Sequence, residues 1–371
     1  MMKAKPQLIK SQDVFFPAAC LAAIVLSVLS QTTRMGWTPW GHALIGLGHA
    51  HEMFFGFVLA LICGYTLGKQ TAVKMRLMLL LWLTARVAFV MAPGTLITAL
   101  LTVLFALWVV RHIAPRYLVA KKWRNKVIAP LLVALFCFPL GWLLLSMTHW
   151  PISPQNLMQS LLVLLIMLMA FIAGRMLAPA FAGELQQQNY ILLARVQPRI
   201  EALILILPPL ASLLLLHPQT HRIAAVVLLL LAGLLLLRLL RWQFWLCWYR
   251  SDLMGLSLGY LWLICGCILL AYALSTGHYQ PAFMHVITMG AIGTLSSMVI
   301  LKYLMPKRHV PAIIFYPPVL LLIAAVLSRV AADYSSQRNA YLIAAVSAWS
   351  LAYLWVLIQW VVTKRRLNRS V

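Results

Sequence analysis

The sequence predicts an all-α, polytopic membrane protein with twelve transmembrane helices and both termini in the cytoplasm. Three observations predict this fold class. Of the 371 residues, 63% are hydrophobic and only 10% are charged, against roughly 45–50% and about 25% in soluble domains. The hydrophobic residues form runs long enough to cross a bilayer. The 30 Lys and Arg residues, which outnumber 6 acids and give a net charge of +24, lie mostly between these runs.

Each span was assigned as a window of about 20 apolar residues bounded by charge, Pro or Gly. The windows run approximately over residues 14–30, 49–68, 75–92, 95–111, 127–147, 156–178, 200–217, 222–240, 254–275, 282–302, 311–329 and 339–362. They account for most of the apolar content and leave no room for a separate soluble domain. We therefore expect residues 1–371 to form a single integral membrane domain.

The basic residues predict the orientation of these spans, because cytoplasmic loops are enriched in Lys and Arg. With the N-terminus inside, 24 of the 30 basic residues lie in the two tails and in alternate loops. The outer loops carry Arg34, Arg222, Arg329 and Arg338, while Arg86 and Arg175 lie within spans. Loops rich and poor in Lys and Arg would no longer alternate if one span had been missed, so the alternation supports the count of twelve.

The same distribution excludes other classes of protein. The cations are scattered over short loops without the aromatic residues or fold signature of nucleic-acid binding, so we expect no nucleic-acid partner. No cleavable signal peptide is expected at the first span. The six cysteines do not predict disulfides; Cys265 and Cys267 could form a thiolate pair, but residues two apart on a helix point to different sides, which favours packing.

Histidine is unevenly distributed across the predicted topology. Eight of the ten histidines fall at or near the outer ends of spans, and the remaining two, His112 and His309, lie inside. The outer residues are His42, His49, His51, His149, His217, His221, His278 and His285. Most of them fit a solvated interfacial position, but His49, His51 and His285 lie within apolar helix starts.

The segment around His49, His51 and Glu52 is the strongest candidate site. A carboxylate near a membrane helix costs several kcal/mol unless it is paired or used, so Glu52 needs a partner. His49 and His51 are about 200° apart on a helix and would serve different ligands, whereas Glu52 returns to the face of His49 and could orient its ring. Alternatively, these side chains could simply cap the helix in the interface.

Small residues follow this motif at every fourth position, at Gly56, Ala60, Gly64 and Gly68. Such a stripe admits close approach of another helix or of a flat cofactor, and helix packing is its commoner cause. The tenth span also begins on the outer side, which places His285 at a depth similar to His51. Two helices that offer imidazoles at one depth meet a condition for an axial ligand pair.

The chain resembles the NnrS family of bacterial membrane proteins. The specific segments are His49-Ala-His-Glu-Met-Phe-Phe-Gly-Phe and Met284-His-Val-Ile-Thr-Met-Gly-Ala-Ile-Gly-Thr, and weaker matches are Trp82-Leu-Thr-Ala-Arg86, Ile172-Ala-Gly-Arg175 and Leu258-Gly-Tyr260-Leu-Trp262. They cover nearly the whole length in the family's order. The resemblance implies twelve spans, haem and copper as cofactors, and a role in the response to nitric oxide.

The resemblance makes His49, His51 and His285 candidate metal ligands. Glu52 would orient a ligand or handle protons, and Arg86 and Arg175 would be buried cations that face cofactor carboxylates. Arginines inside spans are functional by default, although snorkelling or pairing with an acid would also explain them. The chain departs from the family pattern at two places, both at the predicted cytoplasmic end. Ser257 stands where the family commonly has a histidine, and a polar segment of the family is replaced around Ala180. The inner half could therefore have lost a cofactor or ligand.

The leading hypothesis is a haem protein of the bacterial inner membrane, with copper as a further cofactor, that binds or handles nitric oxide and protects against nitrosative stress. If it is an enzyme, it would be a nitric oxide-related redox protein that takes electrons from a quinol or a periplasmic donor. A multi-span transporter of a small solute or copper ion is the alternative, because Pro208-Pro209 and Pro317-Pro318 could interrupt spans. A structural membrane subunit is a third, which the outer histidines disfavour.

Overall fold

The computed structural model describes residues 7–119, 126–147, 151–278, 281–305 and 311–369, and this part of the chain is nearly all helical. The chain divides into two compact units, Met1–Met158 and Gln159–Val371. Several residues assigned above lie outside the described ranges. They are the basic residues Lys3, Lys5, Lys121, Lys122, Arg124, Lys307 and Arg308 and the histidines His149 and His309.

The first unit is built on five helices. They are α1 (Gln12–Arg34), α2 (Leu47–Thr66), α3 (Ala72–Met91), α4 (Leu96–Leu118) and α5 (Ile128–Met147). A 3-10 turn over His42–Leu44 precedes α2. α1 packs against α2, α3 against α4 and α4 against α5, so neighbours in sequence are neighbours in space. The core between them is apolar and aromatic, and includes Phe15, Phe57 and Phe105.

The second unit contains most of α6 and the remaining long helices. They are α6 (Pro154–Gln187), α7 (Pro198–Leu214), α8 (His221–Arg241), α9 (Ser251–Thr276), α10 (Pro281–Leu304), α11 (Ala312–Ala331) and α12 (Arg338–Arg369). α8 packs against α7 and α9, and α10 packs against α9, α11 and α12. The proline pairs Pro208-Pro209 and Pro317-Pro318 lie inside α7 and α11, which continue through them. These pairs therefore do not interrupt the helices in the way the transporter alternative assumed.

Each predicted span overlaps one of the helices, and most helices extend beyond the predicted window at one or both ends. Within the described ranges, ten helices are long and apolar enough to cross a membrane. Of the other two, α3 carries Lys74, Arg76 and Arg86, and α7 has 17 residues. The structure thus has the character of a multi-pass membrane protein, while the count of twelve spans and the orientation of the termini stay predictions.

A two-stranded antiparallel ribbon departs from the all-α prediction. β1 (Leu8–Lys10) pairs with β2 (Lys69–Thr71) in the register that joins Ile9 to Gln70. The Ser11 backbone N–H donates to the Gly68 carbonyl at 2.9 Å, and the Ser11 hydroxyl donates to the Gly64 carbonyl at 2.9 Å. Strands of three residues carry no periodic pattern, so the sequence did not predict them. The ribbon holds the two segments at one end of the α1–α2 hairpin.

The small-residue stripe of α2 is used for close helix packing. A Cβ atom at Gly64 would lie 2.5 Å from a ring carbon of Phe16 on α1, and one at Gly56 would lie 3.1 Å from both Leu26 and Arg86. The contact at Gly64 requires glycine, because a real Cβ cannot approach the ring of Phe16 so closely, whereas a Cβ atom at Gly56 would require its neighbours to shift by a few tenths of an ångström. The predicted use of this stripe in helix packing is confirmed at Gly64.

The ribbon predicts which loops share one side of the membrane. In a variant without native cysteines, Lys10→Cys and Lys69→Cys should be labelled by a membrane-impermeant maleimide from the same side, because β1 and β2 are paired. Trp37→Cys, in the exposed segment after α1, should be labelled from the opposite side if α1 spans the bilayer. Labelling of Lys10→Cys and Lys69→Cys from different sides would contradict the ribbon.

Candidate functional site

The start of α2 carries His49, His51 and Glu52, and a tight turn leads into it. The chain turns at Gly46 with φ 63° before α2 begins at Leu47. A Cβ atom at Gly48 would lie 1.7 Å from the Ala43 carbonyl oxygen, so only glycine allows the preceding turn to fold onto the helix. This close contact fixes the direction in which the motif enters the helix.

Glu52 is the centre of a fully buried polar cluster in the first unit. Its side chain is 0% exposed. Its Oε1 atom accepts a hydrogen bond from Arg86 Nη1 at 2.7 Å and lies 3.0 Å from His51 Nδ1. Arg86 Nη2 donates to the Thr102 hydroxyl at 2.9 Å, and that hydroxyl donates to the Thr98 carbonyl at 3.1 Å. The arginine therefore neutralises the carboxylate, and the neighbouring helix α4 supports the pair.

His51 is held both by hydrogen bonding and by aromatic packing. It is 4% exposed, and its ring stacks on Phe89 with centroids 4.2 Å apart and an interplanar angle of 9°. The rings of Phe55 and Trp142 lie at 4.5 Å and 5.4 Å. Because a carboxylate can only accept, Nδ1 carries the proton that bonds Glu52, and Nε2 keeps its lone pair. The imidazole is thus fixed in the tautomer that suits a metal ligand.

The structure changes the expected partner of Glu52. Helical spacing favoured His49 three residues earlier, whereas the carboxylate bonds the adjacent His51 instead. His49 is half-buried and lies one turn before Glu52. Side-chain torsions let the neighbouring carboxyl reach Nδ1 of His51 while Arg86 fixes its position, and spacing alone does not report on those torsions.

His285 occupies the equivalent place on α10 in the second unit. It is half-buried, and its Nδ1 atom lies 2.8 Å from the Pro281 carbonyl, which can only accept, so Nε2 again keeps its lone pair. The first turn of α10 is capped by Asp333, whose Oδ2 accepts from the Ala282 N–H at 3.2 Å. Arg329 Nη1 holds the other oxygen of Asp333 at 2.9 Å.

Each of the two histidine-bearing helices contains its own π-helical segment, which is wider than the α-helix around it. Met53–Val58 and Val286–Gly293 are π-helical, and each begins one or two residues after its histidine. His51 and Gly56 are the fifth and tenth residues of α2, as His285 and Gly290 are of α10. π-helical turns often occur at functional sites because they redirect side chains and free carbonyls.

Each of these glycines contacts a tryptophan of the neighbouring helix. The Trp82 indole N–H donates to the Gly56 carbonyl at 3.1 Å. A Cβ atom at Gly290 would lie 2.9 Å from the Trp262 ring. Helix α2 and helix α10 thus repeat one local arrangement, in which a histidine, a π-helical turn and a glycine meet a tryptophan.

The two arginines predicted within spans have different environments. Arg86 is buried as expected, but its Nη1 and Nη2 atoms are used by Glu52 and Thr102. Arg175 is exposed, with its guanidinium 5.4 Å from the centroid of the Phe171 ring, so the prediction that it is a buried cation is wrong. A helix places neighbouring residues about 100° apart, and here Gly174 faces inward while Arg175 faces outward.

Two arginines that the sequence analysis assigned to loops lie inside helices and are buried. Arg238 lies inside α8 and is 5% exposed, and Arg329 lies inside α11 and pairs with Asp333. The available signal for Arg238 was its position between Leu237 and Leu239, within an apolar run that continues to the helix end.

The helix that carries Ser257, one of the two departures from the family pattern, also carries part of an ion-pair network. The Ser257 hydroxyl donates to the Leu253 carbonyl at 2.8 Å within its own helix. Arg250 forms two bonds to Asp252, at 3.0 Å and 2.9 Å, and also pairs with Glu184, while Lys302 pairs with Asp252. These ion pairs tie α6, α9 and α10 together.

The cysteines show no arrangement for thiolate chemistry in the described residues. Cys265 is exposed and Cys267 is buried, so they point to different sides of α9. Burial, and then the charge of Glu184, raise the pKa of the Cys247 thiol to about 11, so this thiol stays protonated at neutral pH. The described residues also contain no group of three or more His, Cys, Asp or Glu side chains that could hold a metal ion.

Loss of Glu52 should strongly destabilise the protein. Glu52→Gln leaves Arg86 buried without a counter-charge, and we expect it to lower the free energy of unfolding by roughly 3 kcal/mol. Arg86→Met should do the same, and the double variant should recover most of the loss. Denaturation in detergent micelles measures all three, with the exposed Arg175→Met as a control that costs under about 1 kcal/mol. Additive losses in the double variant would show that the pair is not coupled.

Comparison with known proteins assigns the family. The sequence model of the family described as NnrS protein matches residues 14–365, which is nearly the whole chain and spans both units. No curated protein and no solved structure matches the chain. Because the family match extends from α1 to α12 and includes both histidine-bearing helices, the chain belongs to the NnrS family.

Proposed function

We propose that this protein is a haem-binding protein of the bacterial inner membrane that binds or handles nitric oxide and protects the cell against nitrosative stress. It crosses the membrane twelve times as a single integral domain, with both termini in the cytoplasm. Family membership supports the link to nitric oxide. The observation that carries the haem proposal is that His51 and His285 each donate through Nδ1 to an acceptor, which puts the lone pair of each imidazole on Nε2, the atom that would bind iron.

The donor set of the described residues fits haem better than a bare metal ion. A protein site for a bare ion takes three or four side-chain ligands, and no such group is present among the described residues. A porphyrin supplies four nitrogens and needs only one or two axial imidazoles. The family resemblance also implies copper. A copper ion would need more ligands than the single imidazole of His51 or His285, and His49 is a candidate for one of them.

Haem, when bound, supplies an iron that takes nitric oxide and exchanges electrons. His51 would hold the iron through Nε2, with Glu52 fixing the ring and increasing its basicity. Arg86 Nη1 donates to the same carboxylate oxygen at 2.7 Å, which holds Glu52 in the position from which it accepts from Nδ1. Phe55, Phe89 and Trp142 pack around the imidazole and restrict access of water to it.

His285 would bind haem iron in the second unit, as His51 would in the first, and His49 is a further candidate at the half-buried start of α2. The Asp333 cap holds the first turn of α10, so it limits rotation of the His285 backbone. Turnover, as distinct from binding, would take electrons from a quinol or a periplasmic donor. Arg175, being exposed, has no part in this proposal.

The proposal predicts haem bound through His51 and His285. The purified protein should show a Soret band, a reduced-minus-oxidised difference spectrum and bound iron, and nitric oxide should shift the Soret band. His51→Ala and His285→Ala should each lower haem occupancy or abolish the low-spin spectrum, because each removes one Nε2 ligand. His278→Ala, which removes an exposed histidine of a neighbouring loop, should leave both unchanged.

Two results would contradict the proposal at different levels. A folded, haem-supplemented protein without iron or a Soret band would eliminate haem and favour the transporter alternative. An unchanged low-spin spectrum in both His51→Ala and His285→Ala would retain haem but reject the ligands.

A further inference from the structure

Arg238 lies in the core of the second unit, where α6, α8 and α9 meet. It is 5% exposed. Its Nη1 atom donates to the Ala170 carbonyl at 3.1 Å, and its guanidinium carbon lies 4.8 Å from the centroid of the Trp242 ring. The Tyr260 ring packs on the same tryptophan, with centroids 5.7 Å apart.

Because Gly174 has no side chain, it leaves the space that the Arg238 guanidinium occupies. A Cβ atom at position 174 would be 2.2 Å from Arg238 Nη2 and 2.7 Å from its Cζ, so any side chain there would displace the arginine. The segments Ile172-Ala-Gly-Arg175 and Leu258-Gly-Tyr260 therefore meet at Arg238, through Gly174 and through the aromatic contact of Tyr260.

Three buried donors around this arginine are unused. Within the described part of the chain, Arg238 Nε, Trp242 Nε1 and the Tyr260 hydroxyl have no hydrogen-bond partner. The Arg238 guanidinium also lies near enough to the Tyr260 hydroxyl for its charge to act on that group. Trp242 and Tyr260 are fully buried, so bulk water does not satisfy them. Each unsatisfied group costs about 1–3 kcal/mol, which an acceptor would recover.

The positive charge of Arg238 is also weakly compensated. Its acidic contact is Glu201 Oε1 at 3.5 Å, and the Glu201 side chain is 25% exposed. Arg86, by comparison, contacts the fully buried Glu52 at 2.7 Å. A buried cation with a distant, hydrated partner attracts a second anion more strongly than one in a close buried pair.

We propose that Arg238, Trp242 and Tyr260 form a buried site for a small planar oxyanion, the class that includes nitrite, nitrate and a carboxylate. Such an ion presents several oxygen lone pairs, which would accept from the N–H and O–H donors of these three side chains. Glu201 connects the site to the surface and competes with the incoming anion for the guanidinium. The site does not depend on the proposed haem, since it contains none of the histidines assigned to iron.

Thermal unfolding of the full-length protein in detergent tests this site without any haem signal. Nitrite, nitrate, formate and chloride are titrated against the bulky anion gluconate at constant ionic strength. Unfolding is followed with a maleimide dye that reacts with buried cysteines such as Cys20 and Cys267 as they become exposed. A bound anion should raise the melting temperature in a saturable way, because it binds only the folded protein.

Three variants separate binding from a structural role. Tyr260→Phe should weaken binding about tenfold, as expected for loss of one hydrogen bond to a charged group, without lowering the melting temperature in gluconate. Glu201→Gln should tighten binding, because it removes the competing carboxylate. Arg241→Gln removes an exposed charge one turn from Arg238 and should leave binding unchanged.

The proposal is overturned if none of the planar oxyanions gives a saturable shift or if chloride stabilises equally. It is also overturned if Tyr260→Phe and Glu201→Gln bind with the affinity of the unmodified protein. Stronger stabilisation by nitrite or nitrate than by formate would support a nitrogen oxyanion as the ligand, and the reverse order would support a carboxylate.

Discussion

The first unit depends on the neutralisation of one fully buried carboxylate. Glu52 lies in an apolar helical core, where an ionised group is stable only if it is paired and hydrogen-bonded. Arg86 on α3 supplies the charge, Thr102 on α4 supports the arginine, and His51 uses the same carboxylate oxygen. The pair therefore joins three helices. The carboxylate also determines which nitrogen of the His51 imidazole carries the proton. Stability and ligand geometry arise here from the same contacts.

Close backbone approach is the second constraint. Gly56, Gly64 and Gly174 each place a helix against a side chain that a Cβ atom would displace, namely those of Arg86, Phe16 and Arg238. Glycine lets these helices pack closely, because a Cβ atom at each position would force the partner side chain to shift. The π-helical turns after His51 and His285 add to this by placing a glycine five residues beyond each histidine. These glycines are thus explained by the helix packing at their positions.

The charges of the buried arginines Arg86 and Arg238 are compensated to different extents. In the first unit, Arg86 faces a close carboxylate and forms a charge-neutral cluster around His51. In the second unit, Arg238 faces a carbonyl, an aromatic ring and a more distant, partly hydrated glutamate. The charge-neutral cluster of Glu52 and Arg86 can orient the imidazole beside it. Arg238, whose charge is only partly balanced by Glu201, can instead attract an anion. Arg250, Asp252 and Glu184 form ion pairs with one another, and these pairs join helices.

The sequence by itself determined the helices, the membrane character and the two histidine-bearing segments. Apolar windows and rare polar residues are local signals, so α1 to α12 and the importance of Glu52 could be identified from them. The short β1–β2 ribbon and the π-helical turns could not, because strands of three residues and a one-residue widening of a helix leave no periodic pattern.

Only the tertiary structure decided which polar groups meet. It paired Glu52 with His51 where spacing favoured His49, because the position of the carboxyl is set by Arg86 on another helix. It also turned Gly174 inward and Arg175 outward, and it placed Arg238 in the core. Neighbouring residues on a helix point in different directions, and the packing of the other helices decides which direction is buried.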